Sequence, residues 1–479
     1  MKKLLIFIIL LGIKLSVLAQ EQFNFKSDNY SGVNGLTLDP THTLSTQYNW
    51  DFNLLTADAF VHTDYAYISD ASLASIIYKQ DLQEAKPTLG ITGQTQSHVI
   101  DYYSDNNKKD AFVQADVMGP SISYRLNYKN NVGLYTRARA VASGRNVDPG
   151  FNYYNFHELN FGSLYNLKKS DIQGAAWIEI GANFAHVLRE NKEMQWSAGA
   201  NLRYLAGTDA AYAENLRDVS VSSEQDTLSL SGADIEIGLV TGAEMYDEKT
   251  AGEYKLQRKG GGFGLDIGTS LVKKRFTNDI LIDTDVTYKW KLNFSVLDLG
   301  YIRYKDAEVH RYTIDTPIII DFNSANNQPT VEKYFQDLSA QVYAGDSLKS
   351  KIDNHFVIGL PTALNLNFDY GITDHWYIKA NVIQRVPVFE NAIKRSNVIN
   401  INGRFQKEWI GISGGITSYE YQNLYLGGSL RIGPLIIGSD NFIPVIVRQK
   451  EATQADLYIG IKINKFWQNF LMGKSCNCK

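Results

Sequence analysis

Residues 360–386 carry the pattern that the rest of the chain repeats. Leu360, Thr362, Leu364, Leu366, Phe368, Tyr370 and Ile372 fall on one parity, and Pro361, Ala363, Asn365, Asn367, Asp369 and Gly371 on the other. Side chains alternate across a strand, so these sets form two opposite faces, one apolar and one polar or small. A turn at Thr373, Asp374 and His375 follows. Trp376, Ile378, Ala380 and Val382 then alternate with Tyr377, Lys379 and Asn381, and only Ile383 breaks the polar side. The pattern predicts an antiparallel hairpin whose arms match the roughly 9 to 11 residues a tilted strand needs to cross a bilayer.

The same arm recurs along the chain. Ile122, Tyr124, Leu126 and Tyr128 oppose Ser121, Ser123, Arg125 and Asn127; after Asn130 and Asn131, Val132 and Leu134 begin an arm whose other face carries Arg137 and Arg139. Ile178, Ile180, Ala182 and Phe184 oppose Glu179, Gly181 and Asn183, and Trp196, Ala198, Ala200, Leu202 and Tyr204 oppose Ser197, Gly199, Asn201 and Arg203. Phe263, Leu265 and Ile267 oppose Gly264, Asp266 and Gly268, while Val286, Tyr288, Trp290, Leu292, Phe294 and Val296 oppose Thr287, Lys289, Lys291, Asn293 and Ser295. Residues 48–55 and 60–68 read as a first hairpin, 70–110 as mostly loop, 212–221 and 228–239 as weaker strands, and 457–463 as the closing strand.

So many apolar-faced strands predict an all-β, closed antiparallel transmembrane barrel of about 14 strands, with 12 to 18 in range. Short turns at 130–131, 189–192 and 373–375 alternate with long connections such as 143–170 and 386–396, the asymmetry of barrels with short periplasmic turns and long external loops. One stretch has a different period. Val331, Tyr334, Phe335 and Leu338 recur at helical spacing, predicting a short amphipathic helix over 330–340 that covers a barrel opening. The expected organisation is a signal peptide at 1–19, an irregular or plug segment at 20–45, the barrel at 46–466 and a tail at 467–479. Lys2 and Lys3 before an apolar run, and a small-residue site at Val17, Leu18 and Ala19, carry the signal assignment.

Composition agrees with a barrel. Tyr at 29 exceeds Phe at 22 and Trp at 7 among 479 residues, an excess of amphipathic aromatics that suits interface girdles. Mean hydropathy is −0.24, too low for a helical membrane protein. The net charge of −4 becomes more negative once Lys2, Lys3 and Lys14 leave with the signal, which gives no support to nucleic-acid binding. Cys476 and Cys478 are the only cysteines and read as an accessory tail. The eight histidines are scattered without metal-ligand spacing, Asp374-His375 sits in a turn, and glycines 260–264 precede a strand where a phosphate loop needs a helix. No catalytic residue, metal site or cofactor site emerges, so the protein reads as a non-enzyme without a cofactor.

Residues 29–40, 262–268, 433–441 and 455–462 resemble the recurring motifs of a domain-of-unknown-function family of Bacteroidota outer-membrane barrels. Asp39 and Thr41 around Pro40 depart from that family's more typical Asn and Ala. The resemblance implies an outer-membrane location and distant kinship to fatty-acid-transport barrels and to barrel components of type IX secretion. It supplies no catalytic residues.

The inward parity carries Arg137, Arg139, Glu179, Arg203, Lys289, Lys291, Asp369 and Lys379, with Asn183, Asn201, Asn293, Asn365, Asn367 and Asn381. These are the candidate lumen-lining residues. They are either a solvated, mutually paired interior or a basic route for an anionic solute. Two functional readings follow: transport of a hydrophobic or small anionic solute, or a scaffold for a surface secretion or motility assembly. The expected partners are accordingly outer-membrane lipid and secretion or motility proteins.

Overall fold

Fourteen strands close into a ring in the computed structural model, which describes residues 21–46, 48–79, 82–84, 97–152, 163–224, 227–242, 257–275, 288–321 and 330–464. The signal segment 1–19 and the tail with Cys476 and Cys478 lie outside the described residues. In chain order the strands are β1 (Trp50–Thr63), β2 (Lys109–Met118, continued by Ser121–Arg125), β3 (Asn130–Val147), β4 (Asp171–Glu190) and β5 (Met194–Asn215). Next come β6 (Ala233–Val240, continued by Gly260–Lys274), β7 (Tyr288–Ile314), β8 (Lys351–Gly359, continued by Ala363–Gly371), β9 (Trp376–Arg385) and β10 (Val398–Gln406). The last four are β11 (Ile410–Tyr419), β12 (Asn423–Ile432), β13 (Leu435–Ser439) and β14 (Gln454–Asn464). Each pairs antiparallel with the next, and β14 returns to β1 with Asp51 opposite Asn464 and His62 opposite Gln454. Closure removes the edges that such apolar strands would otherwise expose to aggregation.

Both chain ends of the barrel and the short turns between β2 and β3, β4 and β5, β8 and β9, β10 and β11, and β12 and β13 lie at one rim. The long connections lie at the other. Outward positions are apolar and uncovered, with Leu202 59%, Phe263 65% and Ile401 55% exposed, whereas their inward neighbours Arg203, Asn400 and Asn402 are buried. An apolar surface of this extent around a polar interior is what a bilayer, not water, selects.

The wall is uneven in height. β5 and β7 run for 22 and 27 residues, while β13 has 5. Above the tall side, Leu164–Leu167, Val219–Glu224, Thr227–Ser231 and Ile318–Asp321 form a four-stranded sheet, and a second four-stranded sheet joins Gln449–Ala452, Ala66–Ala71, Val99–Tyr102 and Gln83–Glu84.

Several expectations need correction. Residues 48–55 and 60–68 are not a hairpin: β1 runs through them with a bulge near Leu54, and 66–71 pairs in the second of these four-stranded sheets instead. The bulge offsets the alternation in mid-strand, which reads locally as a turn. Within 70–110 there is a helix, α2 (Leu73–Lys79), after the N-terminal α1 (Phe23–Lys26). The helix expected at 330–340 is α3 (Val331–Val342), capped by the Thr330 hydroxyl accepting from the Lys333 amide. It packs its Phe335 and Leu338 against Tyr312, Ile320 and Leu230, within the core of the first four-stranded sheet, the upper sheet from here on.

Candidate functional site

The N-terminal segment occupies the lumen at the level of the short-turn half, and the inward amides hold it. Asn183 Nδ2 donates to the Pro40 carbonyl at 2.9 Å, Asn201 Nδ2 to Leu36 at 2.9 Å and Asn365 Nδ2 to Leu38 at 2.8 Å. Ser295 Oγ also donates to Leu38 O, and Ser413 Oγ to Asn24 O. A non-repetitive segment in a barrel leaves its carbonyls without ladder partners, and short amide and hydroxyl side chains supply them. Glycine makes the room: a Cβ on Gly199 would lie 2.5 Å from the Pro40 carbonyl oxygen.

Around this segment, basic side chains meet carboxylates. Lys291 Nζ lies 2.7 Å from Asp39, Arg431 Nε 2.9 Å from Asp28, and Lys462 Nζ 2.7 Å from Asp51. Arg404 Nη2 sits 2.6 Å from Asp369, whose Oδ2 is also 2.7 Å from the Tyr288 hydroxyl. Lys379 faces Asp369 in the β8–β9 register. Within the segment itself, burial pushes the Lys26 ammonium down to about 8. Burial, and then the charge of Lys291, push the His42 imidazole well below its usual value, and its Nε2 lies 2.7 Å from Ser31 Oγ.

A denser belt lies at the top of this segment. Arg137 on β3 clasps Asp116 on β2, with Nε 2.7 Å from both carboxylate oxygens, and its Nη1 is 3.4 Å from Glu179 on β4. Arg203 on β5 spans Asp266 on β6 and Asp298 on β7, at 2.6 Å each. Arg139 makes a two-pronged contact with Asp298 at 2.8 and 3.3 Å. Asp298 has positive φ, 55°, at a bulge that doubles the inward positions of β7, with Leu297 and Asp298 both buried. Its own amide donates to Asp266 at 2.7 Å.

Above the belt the inward face turns apolar. Trp177, Leu205, Tyr212, Ile302, Tyr304, Phe356 and Ile358 on the tall side form one buried cluster with Phe60, Phe112 and Tyr419 opposite. Residues 386–397, which join β9 to β10, enter it. Lys394 N donates to Ser143 Oγ at 2.8 Å, and Arg145 donates to Lys394 O at 3.2 Å and Ser396 Oγ at 2.7 Å. Ser143 and Arg145 lie on β3, halfway round the ring, so this connection crosses the lumen. It buries Ile393 in the apolar cluster and sends Arg395 to Glu21 and, at 3.6 Å, to Asp298.

Of the candidate lumen residues, Arg137, Arg139, Glu179, Arg203, Lys291, Asp369 and Lys379 are buried inside the ring. Lys289 is not. A register shift beside Lys273 and Lys274 turns Tyr288 inward and leaves Lys289 exposed at the short-turn rim. Sequence reasoning missed Asp116, Asp298, Arg395 and Arg404 as members of the belt and its lower neighbours. For Asp298 a signal existed: outward residues pass from even positions, Phe294 and Val296, to odd ones, Leu299 and Tyr301. Among the described residues, no three His, Cys, Asp or Glu side chains group as a metal site would.

Several solved barrels are similar over most of their length. The Pseudomonas putida toluene transporter TodX is 11% identical, with 91% of this chain and 94% of that one covered and a TM-score of 0.39. A Pseudomonas aeruginosa FadL homologue is 10% identical, covering 94% and 98% with a TM-score of 0.30. The translocator domain of the autotransporter NalP from Neisseria meningitidis is 6% identical, covering 86% and 88% with a TM-score of 0.31. No curated protein matches. A family model does match, over residues 42–440, and the chain therefore belongs to a family of unknown function, DUF5723.

Proposed function

We propose that this protein is an outer-membrane barrel that takes up a small apolar solute from the long-loop side. The observation that carries the reading is the inward-facing aliphatic and aromatic cluster, entered by residues 386–397 and floored by the charged belt. A water-filled pore would keep that face polar. The basic lumen residues weigh against an anionic solute, because Arg137, Arg139, Arg203, Lys291 and Arg404 each already hold a carboxylate. Passage requires the 386–397 connection and the N-terminal segment to shift. The short turns and both barrel ends then face the periplasm, as in other outer-membrane barrels.

The test is uptake of a radiolabelled short-chain alkane by cells carrying the protein in an intact lipopolysaccharide outer membrane. Uptake above that of cells lacking the protein is expected, and Ile393→Asp, which puts a charge in the apolar cluster, should remove it. Uptake equal to that of cells lacking the protein would overturn the reading.

A scaffold role is the second reading, and the upper sheet favours it. That sheet has its own apolar core yet leaves Leu164 69% and Ile319 64% exposed on its two outer strands. Replacing both by Ser should release a stoichiometric partner from detergent-solubilised outer membrane while leaving the barrel folded, and an unchanged complex would count against it.

A further inference from the structure

A membrane-facing cluster of cations at the short-turn rim is used by nothing described so far. Lys129 is the last residue of the β2–β3 turn, Arg189 stands near the end of β4, and Lys192 lies in the β4–β5 turn. With Tyr128, Leu188, Asn191 and the ion-paired Glu190 and Lys274 they line an open depression of about 410 Å³. The nearby carboxylates are already engaged, Glu190 with Lys274 and Glu193 with Lys273. Lys129, Arg189 and Lys192 have no ion-pair partner among the described residues.

The position of Arg189 is set by a bulge. Val187 pairs with Ser197 and faces inward, but the register slips one residue there, so Arg189 pairs with Trp196. Bulges re-aim side chains, and this one moves the guanidinium from the lumen side to the outer face beside an indole that is 49% exposed. Trp376 and Trp409 are exposed at the same rim, as is Tyr128, whose ring lies under Lys129 Nζ at 5.4 Å. Aromatic residues of this kind sit at headgroup depth. An unpaired arginine on a lipid-facing surface at that depth is adjacent to phosphates, and a planar guanidinium matches phosphate bidentately.

From this geometry we infer that Lys129, Arg189 and Lys192 bind the phosphodiester headgroup of an anionic phospholipid in the periplasmic leaflet. The acyl chains run up the apolar strip of Leu188 and Phe184, both exposed on the outer face of β4. The site rests on the membrane-spanning reading, but it does not depend on what, if anything, the lumen carries.

The test reads quenching of Trp196 in bilayers that mix phosphatidylglycerol and phosphatidylcholine, with brominated chains on one lipid at a time. The Trp196→Phe protein supplies the background. Wild type should prefer brominated phosphatidylglycerol, and Arg189→Gln should lower that preference roughly fivefold, as expected for one cation at an anionic surface. Arg189→Lys should keep most of it, and a triple Lys129→Gln, Arg189→Gln, Lys192→Gln protein should lose it. A heat-modifiable band on a denaturing gel checks that each variant has folded. Equal quenching by both lipids in wild type, or a preference that survives the triple change, overturns the site. Quenching by neither lipid would instead refute the membrane-spanning reading beneath it.

Discussion

Asp298→Asn is the substitution that loads the charged belt most directly. The change keeps the side chain's shape, and asparagine tolerates the positive φ of 55° at this bulge. It removes the negative charge that Arg139 meets at 2.8 Å, Arg203 at 2.6 Å and Arg395 at 3.6 Å. Arg203 retains Asp266 at 2.6 Å and Arg395 retains Glu21, so the deficit falls mainly on Arg139. Removing one partner of a buried pair leaves an uncompensated charge and costs about 3–5 kcal/mol, against about 0–1 kcal/mol for a solvated surface pair. Reversible urea unfolding in phospholipid vesicles, followed by tryptophan emission, would measure the loss. Arg139→Met alone should also destabilise. The double variant should recover roughly 2 kcal/mol of the summed loss, within the range seen for residues sharing one network. A loss below about 1 kcal/mol for Asp298→Asn, or strict additivity in the cycle, would instead show a hydrated belt whose charges are separately solvated.

Two further outcomes concern the N-terminal segment and share one assay, the maleimide labelling rate of a Thr37→Cys, Cys476→Ser, Cys478→Ser protein, divided at each pH by the rate of a free thiol because only the thiolate reacts. Docked His42 has a depressed pKa while the released residue titrates near 6.5, so between those values only the released form takes up a proton. Release is therefore favoured as pH falls below 6.5 and is insensitive to His42 above it; labelling relative to the free thiol should quicken between about pH 7 and about pH 5, and His42→Gln should flatten that dependence. Gly199→Val should quicken labelling at every pH, because its first side-chain carbon would already fall 2.5 Å from the Pro40 carbonyl oxygen; an unchanged rate would mean that the segment does not dock there.

The barrel was legible because its outer face is continuous. Leu364, Leu366, Phe368 and Tyr370 point at lipid whatever the lumen contains, so their parity survives in the sequence. The interior was legible only as polarity. Asn183, Asn201 and Asn365 stand at inward positions, but their partners are main-chain carbonyls of residues 36–40, which no local pattern reveals. Bulges hid the rest. One at Asp298 swaps the parity of β7, another turns Lys289 out of the lumen, and a third turns Arg189 outward. Arg395 lies in a connection whose inward path is fixed by Ser143 and Arg145 across the ring, a contact of long sequence separation. The 330–340 helix was legible from its period, but not what it packs on: its apolar side meets Tyr312 and Ile320 in the upper sheet, partners remote in sequence.

Residues 21–46 fill the lumen, and its cations pair with carboxylates of that segment and of the wall. Single-channel recording in planar bilayers tests this most directly, comparing the intact protein with a variant lacking residues 21–45, each verified as folded by heat-modifiable migration. The intact protein should be silent to small ions, and the shortened one should open in discrete current steps, since the carbonyl-binding asparagines and the cations paired to Asp28 and Asp39 would then face water. Steady conductance from the intact protein, or a folded shortened protein as silent as the intact one, would contradict it.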